Sequence, residues 1–71
     1  MTDEERELCN KAIEILFDCD YDNPHRAKRV QYAQLIETQT IVGSVMYNKF
    51  AIELSRVIIE ASEKEKQNDN A

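Results

Sequence analysis

Three observations predict an all-α fold, a small three-helix up-down-up bundle. One Gly and one Pro in 71 residues leave little for hairpin turns. Aromatic residues make up only 7% of a chain rich in Glu, Lys, Gln, Ala and Ile. Apolar residues recur at helical spacing on both sides of a central doubtful stretch. The alternative is a helical hairpin with one long second helix, dimerising into a four-helix bundle.

The first helix is predicted over 3–19. Thr2 and Glu5 have the spacing of a capping box, and Asp3, Glu4 and Glu5 put negative charge at the positive end of the helix dipole. Leu8, Cys9, Ala12, Ile13, Ile15, Leu16 and Cys19 then share an arc of about 160° at 100° per residue. Phe17 sits at its edge. Asn23 before Pro24 fits an N-cap followed by proline at the first helical position, so the second helix is predicted over 24–42.

The stretch "TQTIVGS" collects β-branched residues and the only glycine. A break here makes Gly43 a left-handed cap and starts the third helix over 44–66. The rival continuous helix draws on a seam of Tyr32, Leu35, Gln39, Val42, Met46, Phe50, Leu54, Val57 and Ala61. After Gly43 the main stripe is Met46, Tyr47, Phe50, Ala51, Leu54, Val57, Ile58 and Ala61, which reads as the core face. Val45, Ile52 and Ile59 form a second apolar strip off that stripe, which either packs on helix 1 while the main stripe packs on helix 2, or is an exposed patch for a partner. Residues 67–71 read as a frayed polar tail beyond a single domain over 1–66.

Size and charge exclude several classes. A chain of 8.3 kDa folds with roughly 4,600 Å² exposed, which leaves a marginal core and little room to enclose a substrate. A net charge of −5 argues against direct nucleic-acid binding. No apolar run approaches the roughly 18 residues of a membrane span, and no membrane partner is expected. The acidic start "MTDEERE" is unlike a secretory signal, so a cytoplasmic location, bacterial or in a host, is expected. Cys9 and Cys19 lie about 15 Å apart along one helix, too far for a disulfide.

Charge changes sign along the chain. Residues 1–23 carry eight acids and two bases, while residues 24–66 carry seven bases and five acids. The two blocks meet at "DCDYDNPHRAKR". Arg26, Lys28 and Arg29, with His25 beside them, have the wrong sign for the start of their own helix. Either they neutralise Asp18, Asp20 and Asp22, or, with Tyr21 and Tyr32, they form a patch for a phosphate, a nucleotide or an acidic surface. The alternating aspartates open like a calcium loop, but Asn23 stands in place of the turn glycine and Arg29 in place of the bidentate glutamate. Cys19, Asp20, Asp22 and His25 mix soft and hard ligands, and Cys9, about three turns away along the same helix, cannot join them in a local metal site. No metal and no cofactor is called for. With one His, one Gly and no Cys-x-x-Cys, no catalytic set is assembled and the protein is read as no enzyme.

The leading expectation is therefore a non-enzymatic protein–protein interaction module, a small regulator, adaptor or inhibitor acting through a helical face. Such proteins are common in phage and plasmid genomes. Its partner is another protein, and a homodimer is expected because a small core without disulfides or metal needs another staple. The expected interface is Val45, Ile52, Ile59, Met46 and Phe50. The second expectation is a phosphate- or nucleotide-binding module using Arg26, Lys28, Arg29, Tyr21 and Tyr32. The third is an acidic mimic of nucleic acid on helix 1, through Asp3, Glu4, Glu7, Glu14 and Asp18.

Overall fold

Thr2 turns the chain into its first helix by satisfying amides that have no partner of their own. Its Oγ1 accepts from the Glu5 N–H at 3.2 Å, and its own N–H donates to Glu5 Oε1 at 2.8 Å. The capping box is thus complete, and α1 runs over Asp3–Phe17. The computed structural model describes residues 1–69, with side chains through 66. It is a bundle of three helices, with α2 over Arg26–Ile41 and α3 over Val45–Asp69. No strand occurs among the described residues.

The capping box has a pH signature. The Thr2 amide and hydroxyl hold the Glu5 carboxyl below the ordinary glutamate value. Folding lowers this pKa, so the unfolded chain takes up the proton first as pH falls. The stabilisation is complete above about pH 4.3 and is lost below it as the folded carboxyl protonates. Glu5→Gln should flatten that part of the acid limb of a melting-temperature profile. A profile superposable on the parent from pH 5 to pH 3 would contradict this.

Both ends of α2 depart from expectation by a residue or two. α1 stops at Phe17, two residues early, with Asp18 as its cap residue at φ −80°, ψ 70°. α2 starts at Arg26, not Pro24. The reason is the Asn23 side chain, whose Oδ1 accepts from the His25 N–H at 2.8 Å and closes a turn before the helix begins. The Arg26 N–H then bonds the Asn23 carbonyl at 3.1 Å. The frayed tail expected at 67–71 falls where helix continues to Asp69; residues 70 and 71 lie outside the described residues.

The break between α2 and α3 is real, which removes the long-helix alternative. Gly43 has φ +76°, the left-handed conformation of a helix terminator. A Cβ added there would meet only the Ile41 carbonyl oxygen, at 4.0 Å. The glycine is required by backbone conformation and not by space. Gly43→Ala should lower stability by about 1 kcal/mol, read as a lower urea midpoint with unchanged slope. An unchanged midpoint would show that the turn relaxes freely.

The core is built from small residues. Ala12, Ala33 and Ala51, one from each helix, are fully buried, as is Ser55, whose Oγ donates to the Ala51 carbonyl at 2.7 Å. Cys9, Leu16, Ile36, Ile52 and Ile59 complete it, with Leu8, Ile13, Ile15, Leu54 and Ile58 half-buried around it. The α1 stripe faces inward as its periodicity predicts. On α3 the expected faces are exchanged only in part, since Ala51, Leu54 and Ile58 of the main stripe stay on the core side and Val45 of the second strip is exposed. Ile52 and Ile59 point to the core, and Met46, Tyr47, Phe50 and Val57 face solvent. Close helix approach wants Ala51 and Ser55 at the centre of the contact, and that choice turns the bulky stripe outward. The resulting molecule is a slab with Cα extents of 39 × 25 × 15 Å.

Candidate functional site

The turn between α1 and α2 carries the charge reversal, and its arginines are already engaged. The last carbonyls of α1 lack the amides of a continuing helix, and the Asp18 N–H reaches back to the Ile15 carbonyl at 3.2 Å. Arg29 Nε donates to the Leu16 carbonyl at 2.9 Å, and its Nη2 donates to the Ile15 carbonyl. The guanidinium is thus a C-cap supplied across the bundle, with the correct sign for the negative end of the α1 dipole. Arg26 stacks over the Tyr21 ring, 4.1 Å from its centroid. That geometry is a cation–π contact at an exposed ring.

These partners bear on both readings of the basic cluster. Arg29 spends Nε and Nη2 on main-chain oxygens, whereas Arg26 is stacked by its face and keeps its N–H edge open. Lys28 is exposed and lines a cleft of about 510 Å³ at the end of the bundle with His25, Tyr32 and Lys66. Asp18 and Glu65 line the same cleft, so its charge is mixed. Tyr21 is not among its lining residues; the five predicted binding residues do not form one site. Among the described residues no three His, Cys, Asp or Glu side chains converge as a metal site would require. On α1, Asp3, Glu4, Glu7, Glu14 and Asp18 are all exposed, but Lys11 falls within their arc.

The larger feature is an apolar face on α3. Met46 is 78% exposed, Phe50 50% and Val57 61%. At 100° per residue these three lie within an arc of about 40°, opposite the buried Ser55. Leu54 and Ala61 continue the face toward α2. There Tyr32 lines the bundle-end cleft together with Ile58 and Ala61 of α3, so its flank of α2 is the one turned toward α3. Leu35 and Val42 follow on that side and are exposed. The seam from Tyr32 to Ala61, predicted for a continuous helix, is thus present but folded into a hairpin and left open to solvent.

The expected interface is corrected accordingly. Ile52 and Ile59 are 7% and 8% exposed and belong to the monomer core. Val45 is exposed but lies on the side of α3 away from the Met46–Phe50–Val57 row. Met46 and Phe50 are on the open face as expected. The residues missed were Val57, Leu35 and Val42, each visible in the seam but left out of the expected interface.

The opposite edge of this face is charged. Lys49, Glu53, Arg56 and Glu60 are exposed and alternate in sign along one flank of α3. Near the hairpin turn, Gln39 Oε1 and Asn48 Oδ1 are buried without a hydrogen-bond partner. No helix among the described residues is long and apolar enough to cross a membrane. Compared with known proteins, the chain matches no family model, no curated protein and no solved structure.

Proposed function

We propose that the protein is a non-enzymatic protein–protein interaction module, a small regulator, adaptor or inhibitor, whose working surface is the open face of α3 with the adjoining edge of α2. The observation that carries this reading is a row of bulky apolar side chains left open on α3. Met46, Phe50 and Val57 lie outside a core that Ile52 and Ile59 of the same helix enter beside Ala51 and Ser55. A contiguous apolar row rimmed by charges is the pattern of a surface that binds another polypeptide. The matching partner is an amphipathic helix with an apolar strip and a mixed-charge edge. Two free cysteines, Cys9 buried and Cys19 half-buried, suit a reducing cytoplasm.

A photo-crosslinking residue at Phe50 or Val57 tests the face in expressing cells, with one at Glu14 on α1 as control. The expected result is a covalent product of defined mass from positions 50 and 57 and none from 14. Equal labelling at all three positions would sink the reading.

A second reading keeps one observation in its favour. The bundle-end cleft has a volume within the usual range for small ligands and carries Lys28, His25 and Lys66. A phosphate or nucleotide there would raise the melting temperature at millimolar ligand. No shift with phosphate, ATP or a cyclic nucleotide would remove it.

A further inference from the structure

We infer that the open face of α3 is covered by a second copy of this chain, the two α3 helices packing antiparallel about a two-fold axis that passes between Leu54 and Ser55. This inference rests on the proposal that the face is a docking surface, and it names the occupant.

The first argument is area. Met46, Phe50 and Val57 on α3, with Tyr32, Leu35 and Val42 on α2, are between 38% and 78% exposed. With the charged flank beside them they make a patch on the order of the ~800 Å² that each partner buries in a standard interface. The slab is also only 15 Å thick, so packing two slabs face to face makes a more compact body.

The second argument is charge. Helices packed antiparallel about a two-fold set the same flank of each helix side by side. In this register Lys49 faces Glu60 of the other copy, and Glu53 faces its Arg56. The symmetry repeats both pairs, so the four exposed charges of the flank are all matched. A parallel pair would instead set this flank against the α2 side of the other copy and leave the row unmatched.

The third argument is shape, and it is independent of charge. The same register drops Phe50 between Val57 and Ala61 of the other copy. Val57 falls between Phe50 and Leu54, and Met46 lies over Ala61 and the alkyl stem of Lys64. Bulky side chains therefore meet gaps, as knobs meet holes, and no aromatic ring collides with its own copy. Leu35 and Val42 extend the apolar surface along α2.

The test is sedimentation of the purified full chain over about 1–100 µM, a range in which a dimer of micromolar Kd changes population, with far-UV circular dichroism as the fold check. The parent should sediment at twice 8.3 kDa. Phe50→Glu and Val57→Glu should sediment as monomers with unchanged helicity, since both positions are exposed in the monomer. Lys49→Glu should weaken the dimer about tenfold, because the symmetry places two like-charge pairs in the interface. Glu60→Lys should do the same, and the double variant Lys49→Glu, Glu60→Lys should recover the parent affinity. A parent that stays monomeric at 100 µM overturns the second copy as occupant. If crosslinking from position 50 still yields a product with another protein, the docking face survives and only its occupant is wrong. If neither occurs, both fall. A dimer that Phe50→Glu leaves intact uses another face. A double variant that fails to recover removes the antiparallel register.

Discussion

Arg29→Met should lower the stability of the bundle by about 2–3 kcal/mol, with no change in the slope of urea unfolding. Methionine keeps most of the apolar stem, so the packing of the side chain along the helix end is largely retained. What it removes is the pair of donors to the Leu16 and Ile15 carbonyls. Hydrogen bonds from a charged group contribute about 1.5–3 kcal/mol each, and two donors on one guanidinium are not independent. The site is half-buried, so the carbonyls left behind are only partly reached by water. A domain of this length has roughly 4–10 kcal/mol in all, so the loss is a large share of it. Arg29→Lys should recover about half, because an ammonium reaches one carbonyl with one donor and lacks the fork. Arg29→Ala adds the loss of the stem and should be the worst of the three. Circular dichroism at 222 nm against urea reads all of them. A methionine variant within 0.5 kcal/mol of the parent would mean that the C-terminus of α1 is adequately solvated without the arginine.

The same arginine explains which parts of the protein were legible beforehand. Capping of α1 by Thr2 and Glu5 is local, since its four residues are contiguous and the chemistry follows from their spacing. The break at Gly43 is local as well. Capping by Arg29 is not local, because it depends on how α2 crosses the end of α1. The visible signal was negative: arginines at the wrong end of their own helix. For Arg29 that misfit resolves once the helix it serves is the neighbouring one. The start of α2 was misread for a related reason, as Asn23 was assigned to cap the helix and instead closes the turn before it.

The exchanged faces of α3 have another origin. Both faces are apolar, and periodicity reports that a face is apolar without saying what covers it. Bulk favours Met46, Phe50 and Val57 as core. Helix approach favours small residues, and one fully buried alanine per helix marks where the three come together. Ala12 lies four residues before Leu16, and Ala33 four after Arg29. In an antiparallel pair joined by the Arg29–Leu16 bond this places the two alanines at the same level. The assignment of helices to the sequence survived this error, while Ile52 and Ile59 moved from the expected interface to the core.

Ile36→Ala and Phe50→Ala should have opposite signatures, although bulk alone ranks phenylalanine as the greater loss. Ile36 is fully buried and is among the largest side chains with no exposure at all. Its truncation removes transfer energy and leaves a cavity in the core, which rigid helices close only in part. The cost should be about 2–4 kcal/mol at every protein concentration. Phe50 is half-exposed in the monomer, so its truncation should cost the isolated chain about 0.5 kcal/mol or less. Its effect appears through mass action. A face covered by a second copy stabilises the fold more as concentration rises, and Phe50→Ala should abolish that dependence. Thermal melts over a hundredfold range of concentration separate the two terms. For Ile36→Ala the melting temperature should fall by a constant amount and keep the parent's concentration slope. For Phe50→Ala the slope should vanish, with the curves meeting the parent at high dilution. If Phe50→Ala instead lowered stability equally at all concentrations, the ring would be part of the monomer core. Ala51 and Ser55 would then need another reason to be buried.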